Sequence, residues 1–514
     1  MKCISNSSRA TVQADYLSKV ARNKENFENK DVYATEQYIF KNQKKDAYNI
    51  ISLFYTKDIR AVSIIKKTKI GMDGLMIQIA YDICTHEDNA FGLHYTHVFF
   101  ITGMSNKKWQ SDMVNKIPIC FQENVHHHGQ LDKICKKLKS IDKALLIIDE
   151  IDTGDKENQK LHTILDKNNL LSIPYLETHD IRFIFVSATM IHELRDLRQW
   201  GNKHETYYMT TPSTYIGHRD FLERGIIKEF YPVNTFELAK KWILEDIIDY
   251  YKNDYRVHII RTDLHSQDCI ERACIYLKIR YYIHTSSDYI DEYTLNNIFN
   301  DITRHRVLII KGLYRRANLI PNIWKLRIGA IHERYSKNPD TSVQVQGLPG
   351  RMTGYWRKEI EMGHKTGPYR TCIKCIEQDI EFHSSKTTDI QYYSRQTKKR
   401  LTDPSLIQGL SIHENVIKEP IIKIFSTQEQ AKEYYKKHLQ HKLHGRGPNK
   451  RKPNKNGFYL STIGKGDNRT RIRSTKEIYN VRRWSLNKTH TYTFHPCYED
   501  IHDNTTLQWW LIYY

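Results

Sequence analysis

The chain has 514 residues, 39% hydrophobic and 27% charged, with 22 glycines and 13 prolines; that balance excludes a wholly disordered or collagen-like polymer and leaves room for roughly three domains of 100–200 residues. Lysine and arginine number 79 against 59 acidic residues, a formal net charge of +20, and a cation surplus of this size points to an anionic partner, most commonly nucleic acid, whose condensed counterions are released on binding. Nine cysteines without a spaced framework argue against a secreted disulfide scaffold and for free thiols in a reducing compartment.

Residues 1–40 are polar and read as an N-terminal extension with some helix. The segment lacks an apolar signal-like core, and the longest apolar runs (98–101, 145–148, 183–186) are strand-length. A soluble intracellular protein is expected. From Lys41, KNQKKDAYNIISLFY reads as an amphipathic helix. Short apolar strands follow, AVSII (61–65), HVFFIT (97–102), ALLIID (144–149) and RFIFVSAT (182–189), with helical stretches between them. Buried strands alternating with helices imply a parallel sheet covered on both faces. A second series has a helix over 237–251 and strands at 256–262, 280–285, 306–312 and 325–335. The rhythm stops after residue 364. A basic stretch ends in HKLHGRGPNKRKPNKNG (441–457), and aromatic, alternating segments close the chain. The expected plan is an extension (1–40), two α/β lobes (41–210 and 211–364), a basic linker (365–456) and a small β-rich domain (457–514).

The strongest local signal is LLIIDEID (145–152), a buried strand with acids at its carboxyl end, where open α/β sheets bind ligands. Asp149 is placed to hold Mg²⁺ and Glu150 to polarise an attacking water. FIFVSATM (183–190) ends a second strand in Ser187, Ala188 and Thr189, small residues suited to linking a phosphate site to a polymer track. Cys372-x-x-Cys375, with His364 and His383 on either side, falls short of a convincing four-ligand zinc pattern. The His126–His128 run reads as a solvated loop.

With these motifs in place the chain resembles the superfamily 2 helicases, and among them the helicase-like proteins of giant DNA viruses. The resemblance implies two tandem RecA-like (P-loop NTPase) lobes with ATP and Mg²⁺ in the cleft between them, and DNA or RNA as the track. Transcription or replication proteins follow as partners, and the host cytoplasm or a virion as the setting. By the same resemblance Gln43 reads the adenine edge, and Lys69, Gly71 and Gly74 belong to the phosphate loop. Thr102 and Gly103, in FFITGMSNKKWQ, touch nucleic-acid phosphates, with Trp109 packing nearby. Gly312 in IIKGLYRRANLIPN adjoins ATP, while Arg315 and Arg316 contact nucleic acid, as do Lys450 and Arg451 in the basic stretch. Arg351 in VQVQGLPGRMTGY is the arginine finger. The departure is the phosphate loop: Met72 stands at the lysine position and Asp73 at the metal-binding hydroxyl position. Two functions follow, an ATP-dependent helicase or translocase, or a helicase-fold protein that binds nucleic acid or a protein partner without turnover.

Overall fold

The computed structural model describes residues 6–30, 38–86, 93–104, 107–153, 159–300, 302–313, 320–387, 409–412, 421–440, 460–463, 470–473, 492–498, 505 and 507–513. Arg315, Arg316, Lys450 and Arg451 lie outside the described residues.

The first lobe is one six-stranded, wholly parallel sheet in the order β3-β2-β4-β5-β1-β6. Its strands are β1 (Ala61–Ile65), β2 (Val98–Thr102), β3 (Val125–His127), β4 (Ala144–Asp149), β5 (Ile181–Ser187) and β6 (His204–Tyr208). Every residue of β1, β2 and β4 is buried, as a sheet with helices on both faces requires. Helices α1 (Asn6–Lys30), α2 (Lys41–Thr56) and α3 (Met72–Thr85) share one core with β1 and β2. The register aligns the strand tips: Thr102 lies opposite Asp149, Asp149 opposite Val186, and Ile65 opposite Ser187. That alignment brings motifs far apart in sequence onto one edge.

The second lobe repeats the design, with the parallel order β7-β12-β11-β8-β10-β9. Its strands are β7 (Ile227–Glu229), β8 (Val257–Arg261), β9 (Arg280–His284), β10 (Arg306–Ile310), β11 (Ile328–His332) and β12 (Tyr369–Thr371). Two tandem α/β lobes with parallel sheets are therefore present, as the sequence implies.

Three details differ from the sequence reading. The histidine run is not a loop: Val125–His127 forms edge strand β3 against β2. The second lobe continues past 364, because β12 pairs with β11 and β7, and the buried Asp246 accepts two hydrogen bonds from the Arg370 guanidinium. The helix expected over 237–251 begins as Phe236–Trp242 and continues in π-helical form over Ile243–Asp249.

A separate unit comprises 167–172 and 415–514. Strands β13 (Ile421–Phe425), β16 (Tyr492–Tyr498) and β17 (Leu507–Tyr513) form an antiparallel sheet, and β14 (Leu460–Ile463) pairs with β15 (Thr470–Arg473). Trp509 and Leu511 pack against Ala431 and Leu439 from and just beyond the helix Gln428–His438. Thus β13, from the expected linker, is a strand of this sheet.

Candidate active site

Between β1 and α3 the chain runs Lys66-Lys67-Thr68-Lys69-Ile70-Gly71. Gly71 has φ +89, and a Cβ there would come within 2.6 Å of Gln43 Nε2. A Cβ on Gly74 would lie 2.6 Å from Gln43 Oε1. Only glycine suits both the left-handed backbone and this close approach. Gln43, 2% exposed, donates from Nε2 to the Gly71 carbonyl and accepts from the Phe40 amide at 2.7 Å. Its amide braces the loop from beneath. Lys69 also adopts a left-handed backbone, φ 56.

Met72 is buried in the first lobe's core. Asp73 pairs with Lys116 of the helix α4 (Lys107–Lys116). Burial alone would raise the Asp73 carboxyl, but Lys116, Lys66 and Lys69 hold it below its ordinary range. The negative charge of Asp73 is thus matched within the lobe.

The loop's first lysine takes the central place. Lys66 Nζ lies 2.9 Å from Asp149 Oδ1 and 3.5 Å from Glu150 Oε1. The other Asp149 oxygen accepts from Trp109 Nε1 at 3.1 Å. Burial disfavours the Lys66 ammonium, yet Asp149, Glu150 and Asp73 outweigh it and raise its pKa. Asp149 itself is raised, by burial first, with Lys66 opposing and Glu150 adding. Glu150 has φ 53, a sparsely populated conformation for a residue with a side chain. Its carbonyl accepts from Thr153 Oγ1 at 2.7 Å. A Cβ on Gly103 would collide with that same oxygen. Gly103 donates to the Asp149 carbonyl at 2.8 Å, and the fully buried Thr102 accepts from the Met104 amide at 3.2 Å. Here Thr102 and Gly103 shape the acidic turn.

A polar chain then crosses between lobes. Ser187 Oγ and Thr189 Oγ1 each donate to Asp152, both at 2.9 Å. Gln346 Nε2 donates to Thr189 Oγ1 at 2.7 Å, and Arg351 Nη2 donates to the Gln346 carbonyl at 2.8 Å. Ala188, between the two hydroxyl residues, is buried. Arg351 sits on the short helix Leu348–Met352, whose first amide donates to Glu333 Oε2 at 2.8 Å. Glu333 also pairs with Arg261 at 2.5 Å, both buried.

Three cations converge beside the loop. Arg351 and Lys325 are 2% and 3% exposed, and Lys69 is half-buried. Burial together with Arg351, Lys66 and Lys325 drives the Lys69 pKa well below its ordinary value. Burial and Arg351 lower Lys325 to about 7. Lys325 Nζ donates to the Thr353 carbonyl at 2.7 Å.

The loop's carbonyls meet hydroxyls from outside the first sheet. Thr68 O accepts from Thr353 Oγ1 at 2.9 Å and from Tyr215 OH at 2.6 Å, and Ile70 O accepts from Tyr355 OH at 2.7 Å. Phe40 stacks on Tyr355, with centroids 4.7 Å apart and planes 25° apart. Gly312, with φ +73, lies just beyond β10, and among the described residues no atom comes within 4 Å of the point where a Cβ would stand.

The fold thus gathers Gln43, Lys69, Gly71, Gly74, Asp149, Glu150, Ser187, Thr189 and Arg351 around one loop and one strand edge. Asp152, Lys325 and Glu333 join them without standing out in the sequence. Asp152 carries a signal as the last acid of DEID, whereas the other two gain meaning only from burial. Among the described residues, no group of three or more His, Cys, Asp or Glu is arranged to hold a metal ion, and no helix is long and apolar enough to cross a membrane.

No family model and no curated protein matches the chain. Solved structures do. A variant of S. cerevisiae Dbp5 bound to variant Gle1 and IP6 shares 13% identity, with 71% of this chain and 97% of that one covered and a TM-score of 0.36. S. cerevisiae Dbp5 bound to RNA and ADP BeF3 shares 12%, covering 72% and 92%, at 0.39. A DEAD box protein from the hyperthermophile Methanococcus jannaschii shares 13%, covering 66% and 83%, at 0.28.

Proposed function

We propose that the two lobes form a nucleic-acid-stimulated ATPase of the helicase or translocase kind, with Lys66 in place of the missing phosphate-loop lysine. The observation that carries this reading is the convergence of Lys69, Lys325 and Arg351 beside a buried acid pair, where burial first and Arg351 next lower the proton affinity of both lysines. Burial and neighbouring cations favour the neutral amines of Lys69 and Lys325, and an arriving anion would restore their charge; a triphosphate has the charge and reach to do so. Glu150 is the group placed to orient the attacking water, and Arg351 the guanidinium for the γ-phosphate.

Mg²⁺ prefers an all-oxygen donor set. Asp149 and Glu150 supply one, but Lys66 and Trp109 already face these carboxylates. The ion fits once the Lys66 ammonium turns from Asp149 toward phosphate, and it would then neutralise charge on the transferring group. The track is DNA or RNA, held through backbone phosphates by a chain whose formal net charge is +20. The likeness to giant DNA virus proteins makes transcription or replication the setting of this reading.

The second reading, a helicase-fold protein that binds nucleic acid or a protein partner without turnover, is favoured by the buried Met72 and by the Asp73–Lys116 pair. Phosphate release measured with and without single-stranded DNA and RNA separates the two. Release that nucleic acid stimulates and that Glu150→Gln abolishes supports the motor. Binding of nucleic acid with release no faster than in Glu150→Gln supports the second reading, and absence of any nucleotide binding overturns the motor.

A further inference from the structure

The cysteine pair Cys372 and Cys375 lies outside the site above and falls short of a zinc motif. Cys372 is the N-cap of the helix Ile373–Ser385, and Cys375 is the third residue of that helix. The Cys375 amide donates to the Cys372 carbonyl at 3.1 Å, so the intervening turn is tight. A four-residue turn closed by such a bond holds its first and last Cα atoms within ~7 Å, and a disulfide forms where the Cα atoms lie ~4.4–6.8 Å and the Cβ atoms ~3.5–4.5 Å apart. The two cysteines pack together against Phe230. Cys375 is fully buried, whereas Cys372 reaches the surface with 7% exposure.

We infer that Cys372 and Cys375 form a reversible dithiol–disulfide site, with Cys372 as the attacking sulfur and Cys375 as the resolving one. Position and electrostatics assign the roles. Cys375 and the amides of the helix's first turn lower the Cys372 thiol, as helix N-termini do for reactive cysteines, with burial and Glu229 opposing. The Cys375 thiol is raised by Cys372 and by burial. Elsewhere in the chain the thiols of Cys84 and Cys274 are fully buried and raised by that burial. A metal reading of the pair has no third ligand among the described residues.

The co-reactant is a small-molecule disulfide. The Cys372 thiolate attacks one of its sulfurs, a mixed disulfide forms and one small thiolate leaves. Cys375, giving its proton to solvent, then attacks the Cys372 sulfur, the protein disulfide closes and a second small thiolate departs. Two protein thiols are oxidised and one small disulfide is reduced to two thiols, which balances protons and electrons. The turn is tied on both sides to the helix Thr341–Val345: Thr371 Oγ1 donates to Gln344 Oε1 at 2.8 Å, and Thr341 Oγ1 to Gln378 Oε1 at 2.7 Å. That helix leads into Gln346 and Arg351, so the oxidised turn is mechanically joined to the arm that carries the arginine.

The test uses the full chain, equilibrated with graded ratios of oxidised to reduced glutathione, quenched with an alkylating reagent in denaturant and mapped by peptide mass spectrometry. The wild type is expected to lose two hydrogens in the 372–375 peptide while Cys84 and Cys274 remain alkylatable. Cys375→Ser should trap a glutathione adduct on Cys372, and Cys372→Ser should leave Cys375 unmodified. Two alkylatable thiols in the wild type under excess oxidised glutathione overturn the proposal without reference to any variant. An adduct on Cys375 in Cys372→Ser, or none on Cys372 in Cys375→Ser, overturns the assignment of roles.

Discussion

Nucleotide binding should take up protons, and Lys325 accounts for part of the amount. Its pKa is lowered from 10.5 to about 7 by burial and by Arg351. At pH 9 the free protein therefore holds a neutral amine at that position in all but about one molecule in a hundred. A phosphate group entering among Lys69, Lys325 and Arg351 favours the charged form and returns the pKa toward its ordinary value. Full restoration over 3.5 units, 10.5 less 7, sets a ceiling of about 5 kcal/mol on the linked binding energy. Close to one proton from Lys325 is expected at pH 9 and little at pH 6, with Lys69 adding to the uptake, so the Lys325 share alone should weaken affinity by up to about tenfold per pH unit above 7.5. The free protein shows the converse. Between pH 7 and 10.5 the unfolded chain holds a proton that the folded chain lacks, so this group's contribution to stability grows as pH rises and is lost as pH falls through 7. Calorimetric titration of ADP at pH 9 in two buffers of different ionisation enthalpy measures the uptake directly, and Lys325→Met should lower it by about one proton per site. Heats that do not depend on the buffer, with an affinity flat from pH 7 to 9.5, would refute the claim that these cations form the anion site.

Other changes test neighbouring parts of the argument. Lys66→Met leaves Asp149 and Glu150 buried without their cation; breaking such a pair costs about 3–5 kcal/mol, and acidification toward pH 5 should recover part of the loss as a carboxyl takes a proton, read by urea unfolding at several pH values. Met72→Lys restores the motif on paper but puts an ammonium into a core position 4% exposed; a lower melting temperature and no gain in phosphate release are expected. Gly71→Ala forces an L side chain to φ +89 with its Cβ 2.6 Å from Gln43 Nε2. A loss of about 1–2 kcal/mol from the backbone alone is expected, and a cycle with Gln43→Ala should show coupling, since the second change makes room for the methyl. Glu333→Gln weakens the hold on both Arg261 and the Leu348 amide, and should lower turnover more than nucleotide affinity in steady-state kinetics.

The central strands are legible because β1, β2 and β4 are buried along their whole length, which forces unbroken apolar runs. Edge strands give no such signal. In β3 the two histidines are half-buried, and in β6 every residue is, so the alternation fades into the loops around it. The acidic and Ser-Ala-Thr motifs can be read because they follow buried strands directly. Lys325 cannot: a lysine in IWKLRIG looks like solvated surface until the second lobe folds around it. The phosphate loop misleads for a related reason. Position 72 invites comparison with a motif, whereas three nearby lysines could serve in its place, and only the path of the backbone shows that Lys66 is the one that pairs with Asp149. A boundary at 364 falls too early because β12 is three residues long and its partner strands precede it by many residues.

The hydroxyls of Thr353, Tyr215 and Tyr355, fastened to the carbonyls of Thr68 and Ile70, bear on tempo. Each buried bond of this sort resists rupture by about 1 kcal/mol net, and Thr353 and Tyr355 must release together before the lobes can part. A cleft closed by its own side chains opens seldom. On the proposed motor reading, departure of spent ligand, more than bond cleavage, would then set the pace.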